Sequence, residues 1–390
     1  MVVVPRLELA AQTRATLARA DVRAGVVAGD ADPGHVDGAA PVQVATVQTM
    51  TARGLRIPAT LAVFDEAHHY VSAEWHGVLD GYRKMGVPLL GLTATPCRAD
   101  GVALGEAFDH LVVAASVREL MDAGHLVPCD VVAPAARQSG MADDPVDAYK
   151  RFGGDRRAIV FARDQKHAQH LETRFRVNGI PSAFIDASLS ATERRGRIER
   201  FRAGELRVLV NVQILTEGFD DPSVEVVVLA SGCAHAGSYL QKIGRALRPS
   251  PATGKTSALV IDLCGAVHDH GLPDDPREYS LSGRAIATGE VGLALRNCDA
   301  CGGVWRAEEF RDATCPRCGA KSKGRPDPKV KRAQLDAIRA THTDEKRVEN
   351  LRRLYLRADA EGKKRMWAHF IFRSRYHRFP SKAEMAAAEP

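Results

Sequence analysis

Short apolar runs recurring at helix-length spacing restrict this chain to a parallel α/β architecture. Val2 to Val4, Val26 to Ala28, Val42 to Thr46, Leu61 to Phe64 and Leu89 to Thr93 read as strands, and the stretch from Leu7 to Arg19 has the apolar period of a helix. Strands spaced in this way by helices form a parallel sheet covered on both faces. Between Ala133 and Pro145 the pattern gives way to small and polar residues. A second series then begins at Arg157-Ala158-Ile159-Val160-Phe161 and continues through Ser182 to Ile185, Val208 to Val212, Val224 to Ala230 and Ser257 to Leu263. Two sheets in tandem imply a cleft between them.

These patterns divide the 390 residues into a first α/β domain over 1–132, a second over 133–272, a linker rich in Gly, Pro and Ser over 273–292, a cysteine module over 293–322 and a helical tail over 323–390. In the tail, Leu335/Ile338 and Leu351/Leu354/Tyr355 mark apolar helix faces. The net charge of +6 is uneven: residues 321–390 carry 19 Lys and Arg against 9 Asp and Glu, a net +10, which leaves −4 for the first 320. That asymmetry points to a polyanionic partner. No stretch has the uninterrupted apolar length of a membrane span, and Met1 to Pro5 is too short for a signal-peptide core, so a cytoplasmic location without membrane contact is expected.

Cys97, Cys129, Cys233 and Cys264 are isolated and suit buried thiols. Cys298/Cys301 and Cys315/Cys318 form two C-x₂-C pairs thirteen residues apart, with glycines beside the turns. Four thiolates on two tight turns are the donor set of a closed, structural Zn²⁺ ribbon. Trp305 and Phe310 are expected to form its small core, while Arg306, Arg311 and Arg317 are expected to contact nucleic acid. Further on, Lys363-Lys364-Arg365-Met366-Trp367 and Arg373 to Phe379 interleave cations with aromatics, a pattern that favours nucleic acid.

Directly behind the run Leu61 to Phe64 stand Asp65, Glu66, Ala67 and His68. Ligands of open parallel sheets bind beyond the carboxyl ends of the strands, so both carboxylates would project into such a crevice. One can hold hydrated Mg²⁺ while the other orients a water for attack on a γ-phosphate. The Gly-rich loop ending in Gly-Lys-Ser/Thr that normally cradles the phosphates does not precede Asp65. The single Gly-Lys-Thr, at Gly254 to Thr256, has Pro249 where the loop's first glycine belongs and a strand-like run behind it, and reads as a turn between strands.

Motifs in both halves occur in a recognisable order. Val4-Pro5-Arg6-Leu7-Glu8-Leu9 and Val44-Ala45-Thr46-Val47-Gln48-Thr49 precede Asp65-Glu66-Ala67-His68, and Gly91-Leu92-Thr93-Ala94-Thr95-Pro96 follows it. The second half supplies Phe161 and Arg163, then Leu215-Thr216-Glu217-Gly218-Phe219-Asp220-Asp221-Pro222, then Gln241-Lys242-Ile243-Gly244-Arg245-Ala246-Leu247-Arg248-Pro249. From residue 2 to about 263 the chain resembles the superfamily 2 helicases, in the branch of restriction-enzyme translocase subunits and phage-type DEAH-box helicases. The resemblance implies two RecA-like lobes binding ATP and Mg²⁺ between them. It assigns Asp65 to magnesium, Glu66 to the attacking water, and His68, Thr93 and Thr95 to coupling between the nucleotide and the lobes. Gly218 would allow close backbone approach to the nucleotide, Asp220 would bond a ribose hydroxyl or a partner between the lobes, and Gln241, Arg245 and Arg248 would face Asp65 and Glu66, the guanidinium groups stabilising charge on the transferred phosphoryl group. Arg6, Thr46, Arg163 and Thr216 would lie along the nucleic-acid backbone.

The resemblance begins at the motif around Val4 to Leu9, so for the phosphate loop that precedes it in the family three explanations are expected: a start placed too far downstream, a separate upstream polypeptide that completes the lobe, or loss of the loop. The expected function is an ATP-dependent DNA helicase or translocase with weak turnover in this chain alone. The alternative is a non-catalytic nucleic-acid-binding protein on a helicase scaffold. DNA is favoured over RNA only by analogy with the branch.

Overall fold

The computed structural model describes residues 1–29, 31–96, 102–212, 215, 219–282, 286–287, 295–309, 314–321, 347–360, 362–376 and 379–389. The first sheet contains β1 (Val2–Val4), β2 (Ala24–Val27), β3 (Val42–Thr46), β4 (Ala62–Asp65) and β5 (Leu89–Leu92), with helices α1 (Leu7–Arg19), α2 (Val47–Arg53) and α3 (Ala73–Lys84) between strands. Its order is β2-β3-β1-β4-β5 and every pairing is parallel. Because side chains alternate along a strand, Val3 and Val4 serve opposite faces. Val3, Ala45, Ala62 and Phe64 pack with Val78, Leu79 and Tyr82 of α3, whereas Val4, Val26 and Val44 pack with Ala10 of α1.

The second of these faces is incomplete at one end. Val63 of β4 pairs with Leu90 of β5, and Asp65 with Leu92. Leu90 and Leu92 remain 46% and 47% exposed, and β5 has no outer neighbour among the described residues. An uncovered apolar face beside an unpaired strand edge is a surface that folded proteins ordinarily cover.

The second sheet holds α4 (Val117–Asp122), β6 (Cys129–Val132), α5 (Pro145–Ala148), β7 (Ala158–Phe161), α6 (Gln165–Val177), β8 (Ser182–Ile185), α7 (Ala191–Arg202), β9 (Val208–Asn211), β10 (Val226–Leu229), α8 (Ala236–Leu247), β11 (Ala258–Asp262) and α9 (Val267–His270). The paired two-residue strands β12 (Arg277–Glu278) and β13 (Ile286–Ala287) precede β14 (Leu295–Asn297) and β15 (Gly303–Arg306). The order is β14-β15-β6-β11-β10-β7-β9-β8, parallel except that β15 runs antiparallel to both β14 and β6. Strands β7, β9, β10 and β11 are buried throughout, as expected of a sheet covered on both faces.

Two expected boundaries move. Cys129 to Val132 pairs with β11, and Val117 and Met121 of α4 pack on the second core, so the second lobe takes in residues that the sequence pattern left with the first. The cysteine module is not a separate body either. Gly303 and Val304 pair with Val132 and Val131, and Asn297 donates to the carbonyls of Ala133 and Pro134. Arg306, expected to contact nucleic acid, is only 7% exposed and ion-paired to Asp274, Asp275 and Glu309. A guanidinium placed among three carboxylates is a brace for the 274–275 turn. Phe310 and Arg311 lie outside the described residues, and Arg317 stands over the Phe152 ring at 5.5 Å.

The Gly254 to Thr256 turn is as expected. Gly254 has φ 67°, and Lys255 is buried, its ammonium donating to the carbonyls of Pro222 and Val224. Burial pushes that lysine down to about 8. It serves the fold of the second lobe and no phosphate.

The tail forms its own compact unit, Lys323–Pro390, in which α10 (347–360), α11 (Arg365–Tyr376) and α12 (Lys382–Ala387) close on Leu351, Tyr355, Ala368, Phe372 and Ala388. Leu335 and Ile338 lie outside the described residues. Among the described residues, no helix is long and apolar enough to cross a membrane.

Candidate functional site

The site begins with the backbone at the end of β4. Glu66 sits at φ 51°, one of two non-glycine residues with positive φ among those described, and its N–H is held by Asp65 Oδ1 at 3.0 Å. A non-glycine residue held left-handed carries strain that the surrounding fold must offset, and such strain gathers at functional sites. The kink gives the two neighbouring carboxylates different surroundings. Burial raises the Asp65 carboxyl above the usual range, partly offset by the Glu66 N–H and by His68. Glu66 Oε2 lies 3.5 Å from His68 Nδ1.

His68 carries the line onward. Its Nδ1 is 3.0 Å from Thr93 Oγ1, and that hydroxyl donates to the Thr95 carbonyl at 3.1 Å while accepting the Thr95 N–H. A hydroxyl has one proton, so with that proton on the Thr95 carbonyl the His68 Nδ1 must be the donor. The same N–H faces Glu66, which fixes the tautomer. Thr95 is buried, and its hydroxyl accepts from Gln241 Nε2 of α8 at 3.3 Å. The residues Glu66, His68, Thr93, Thr95 and Gln241, expected to act together, are thus joined from the end of β4 to the second lobe.

Arg245 and Arg248 make contacts beside the end of α8. Arg245 Nη1 donates to the Phe219 carbonyl, and Arg248, the C-cap of α8, reaches the same carbonyl at 3.4 Å and pairs with Asp220. Both reach partners in their own lobe, because the turn containing Phe219 and Asp220 offers a carbonyl and a carboxylate beside the end of α8. Asp220, expected to bond a ribose hydroxyl or a partner between the lobes, is the partner of Arg248. Gly218 and Thr216 lie outside the described residues.

The expected nucleic-acid contacts are mixed. Arg6 is the N-cap of α1 and half-buried, and Arg163 is exposed with its guanidinium on Asp164. Thr46 is 5% exposed and donates to Thr49 Oγ1, which also accepts the Gly29 N–H, so its hydroxyl braces the fold. Sequence reasoning passed over two residues. Gln48 donates to the Pro5 carbonyl at 2.7 Å and ties the two segments thought to line the backbone. His235 caps α8 by accepting the Ser238 N–H; burial, then the nearby His270, His68 and Lys242, holds its imidazole below the usual range. The helix-start pattern His235-x-x-Ser238 could have shown the cap, but nothing local could have placed it near His68.

In the cysteine module, the Sγ atoms of Cys298, Cys301, Cys315 and Cys318 all lie within 4.8 Å of one another. The closest pairs are Cys298–Cys318 at 3.6 Å and Cys301–Cys315 at 3.8 Å. Tetrahedral thiolates on a metal, at the usual zinc–sulfur bond length, stand about 3.8 Å apart. The four residues are therefore placed to hold one metal ion.

The Asp65 carboxyl yields a stability prediction. Because burial raises its folded pKa, the unfolded chain releases that proton first, and stability falls as pH rises through the unfolded value, levelling off above the folded one. Asp65→Asn, which keeps an oxygen for the Glu66 N–H, should unfold about 0.5–1 kcal/mol later than the parent at pH 7 and no later at pH 3. Urea titrations at both pH values measure this, and a parent chain more stable than the variant at pH 7 contradicts it.

Comparison with known proteins agrees with this geometry. Residues 1–98 match the family described as type III restriction enzyme, res subunit, and residues 146–250 match the helicase conserved C-terminal domain. A 51.5 kDa protein of a Lactococcus phage is 26% identical over 289 residues, covering 68% of this chain and 62% of its own length. IRC3 of Saccharomyces cerevisiae, a helicase by name, is 28% identical over 301 residues, 68% of this chain and 43% of its own. The chain thus spans between about two-fifths and three-fifths of these relatives. Among solved structures, a fragment of an HsdR-type subunit of a type I restriction enzyme from Vibrio vulnificus superposes with TM-score 0.51 at 20% identity, covering 73% of this chain and 58% of that one. Dbp5 of S. cerevisiae bound to RNA and ADP BeF3 gives 0.50 at 20% identity, over 67% and 70%. The two parallel-sheet lobes are those of RecA-fold helicases, and the chain belongs to superfamily 2, in the branch that includes the restriction-enzyme subunits.

Proposed function

We propose that the two lobes form the motor core of an ATP-dependent helicase or translocase acting on nucleic acid, with DNA as the substrate favoured by the restriction-subunit branch. The observation that carries this reading is the line from the Glu66 carboxylate, 3.5 Å from His68 Nδ1, through the hydrogen-bonded His68, Thr93 and Thr95 to Gln241, since it links an acidic strand end in one lobe to a helix of the other. The donor set fits its cation: Asp65, a hard oxygen ligand with one oxygen still available beyond the Glu66 N–H, would hold Mg²⁺. Bound there, the ion would neutralise charge on triphosphate oxygens. Glu66, oriented by its strained backbone and by His68 Nδ1–H, accepts the proton of an attacking water. His68, donating to Thr93 and facing Glu66, transmits a change at that carboxylate to Thr95, and Gln241 follows. Arg245 and Arg248 would have to exchange Phe219 and Asp220 for phosphate oxygens when the lobes close, which makes their present contacts an open-state restraint.

The exposed Leu90 and Leu92, and an edge of β5 with no neighbour among the described residues, also fit this reading. A strand and helix carrying a phosphate-cradling loop, from whatever polypeptide supplies them, would cover Val63, Leu90 and Leu92 and stand beside Asp65. A second reading is favoured by the ion pair of Arg248 with Asp220: a nucleic-acid-binding scaffold that does not turn over ATP. Nucleic-acid-stimulated ATP hydrolysis by the 390-residue chain, compared with Glu66→Gln, separates the two. We expect slow hydrolysis that Glu66→Gln lowers by at least about a hundredfold. Hydrolysis that the substitution leaves unchanged argues for the scaffold.

For the cysteine module we propose structural Zn²⁺ on Cys298, Cys301, Cys315 and Cys318, since four thiolates at these spacings leave no open position for catalysis. Because β15 pairs with β6, the metal would also brace the second sheet. Elemental analysis should find one zinc per chain. Cys315→Ser should lose it and lower the melting temperature by several degrees, and a metal-free parent of unchanged stability would oppose the assignment.

A further inference from the structure

Two hydrogen-bond donors in the cysteine module are buried with nothing to bond. Trp305 Nε1 and Arg317 Nη1 are both screened from solvent, and neither has a hydrogen-bond partner among the described residues. An indole and a guanidinium can only donate, so burying either N–H without an acceptor is costly. The two side chains also meet at one point. A Cβ placed on Gly303 would stand 3.0 Å from Trp305 Nε1, 3.4 Å from Cys301 Sγ and 3.6 Å from Arg317 Cδ. Glycine at this position lets the indole edge, the arginine stem and the sulfur share one space.

The sulfur is the group at this point that can answer them. As a thiol, Cys301 is a weak acceptor, and its Sγ lies 3.8 Å from Cys315 Sγ. As a metal ligand it would be a thiolate, because coordination removes the thiol proton, and a charged acceptor makes a much stronger hydrogen bond. Four thiolates also carry more negative charge than one divalent ion cancels. Arg317 stands in the turn between Cys315 and Cys318 with its guanidinium over the Phe152 ring, which fixes a positive charge beside them. Trp305 packs on the cysteine cluster itself. A contact with nucleic acid would leave Arg317 Nη1 open to solvent, and a purely apolar core would have no use for an inward N–H. Donors around the ligands orient them and tune the metal.

We propose that Trp305 and Arg317 are positioning residues of the metal centre: the indole N–H donates to the Cys301 thiolate, and the guanidinium offsets the charge gathered on the four sulfurs. This inference rests on the metal assignment for the cysteine module and deepens it. It is independent of ATP turnover by the lobes.

The test is zinc affinity of the full chain, measured by competition with a chromophoric chelator. Trp305→Phe and Arg317→Met should each still load one zinc but hold it about ten- to a hundredfold more weakly, as loss of an outer partner does. Arg317→Lys, which keeps the charge, should recover most of the affinity. Cobalt in place of zinc separates hydrogen bonding from packing. Without the N–H the sulfur electrons are less stabilised, so the thiolate-to-cobalt band of Trp305→Phe should move to longer wavelength while the ligand-field bands stay those of a four-sulfur site. A parent chain that takes up neither metal refutes the zinc assignment and this inference with it. A loaded parent, with either variant holding zinc as tightly or with the band of Trp305→Phe unmoved, overturns the inference and leaves the zinc assignment standing.

Discussion

The hydrogen bond from Gln241 to Thr95 is the contact on which the functional reading depends, because it carries a line begun at Glu66 from one sheet to the other. Each member is constrained by the one before it. The left-handed Glu66 sets the carboxylate against His68, the single proton of Thr93 fixes the histidine tautomer, and Thr95 is buried where an unpaired hydroxyl would be costly. The end of β4 and α8 are thereby joined by one unbroken series of contacts.

Around this line the molecule separates restraint from chemistry. Arg245 and Arg248 hold the turn at Phe219 and Asp220, Lys255 holds the carbonyls of Pro222 and Val224, and Arg306 holds the turn at Asp274 and Asp275. Each of these contacts lies within one lobe. The cysteine hairpin adds two antiparallel strands at β6, so a metal on its thiolates would act on the same sheet that carries α8.

Much of this was legible in the sequence where it depends on local pattern. The strands around Phe64, Leu90, Ile159, Leu209 and Val227 follow from apolar runs, and Asp65, Glu66 and the paired cysteines from spacing alone. What escaped was long-range. Cys129 to Val132 is a short run preceded by Pro128 and interrupted by Asp130, and only its pairing with β11 makes it a strand. Arg306 looked like a surface cation because nothing in its neighbourhood shows that Asp274 and Asp275 return to it across thirty residues. The contacts of Arg245 and Arg248 with Phe219 and Asp220 were hidden for the same reason, since a motif gives the residue and not the neighbours that the fold brings to it.

The most direct test is a double-mutant cycle on Thr95→Val and Gln241→Ala, read from urea unfolding of the full chain. If the bond joins the lobes as described, the two losses are less than additive, with a coupling of about 0.5–1 kcal/mol. Strictly additive losses would mean that Thr95 and Gln241 do not communicate, and the line from Glu66 would end within the first lobe.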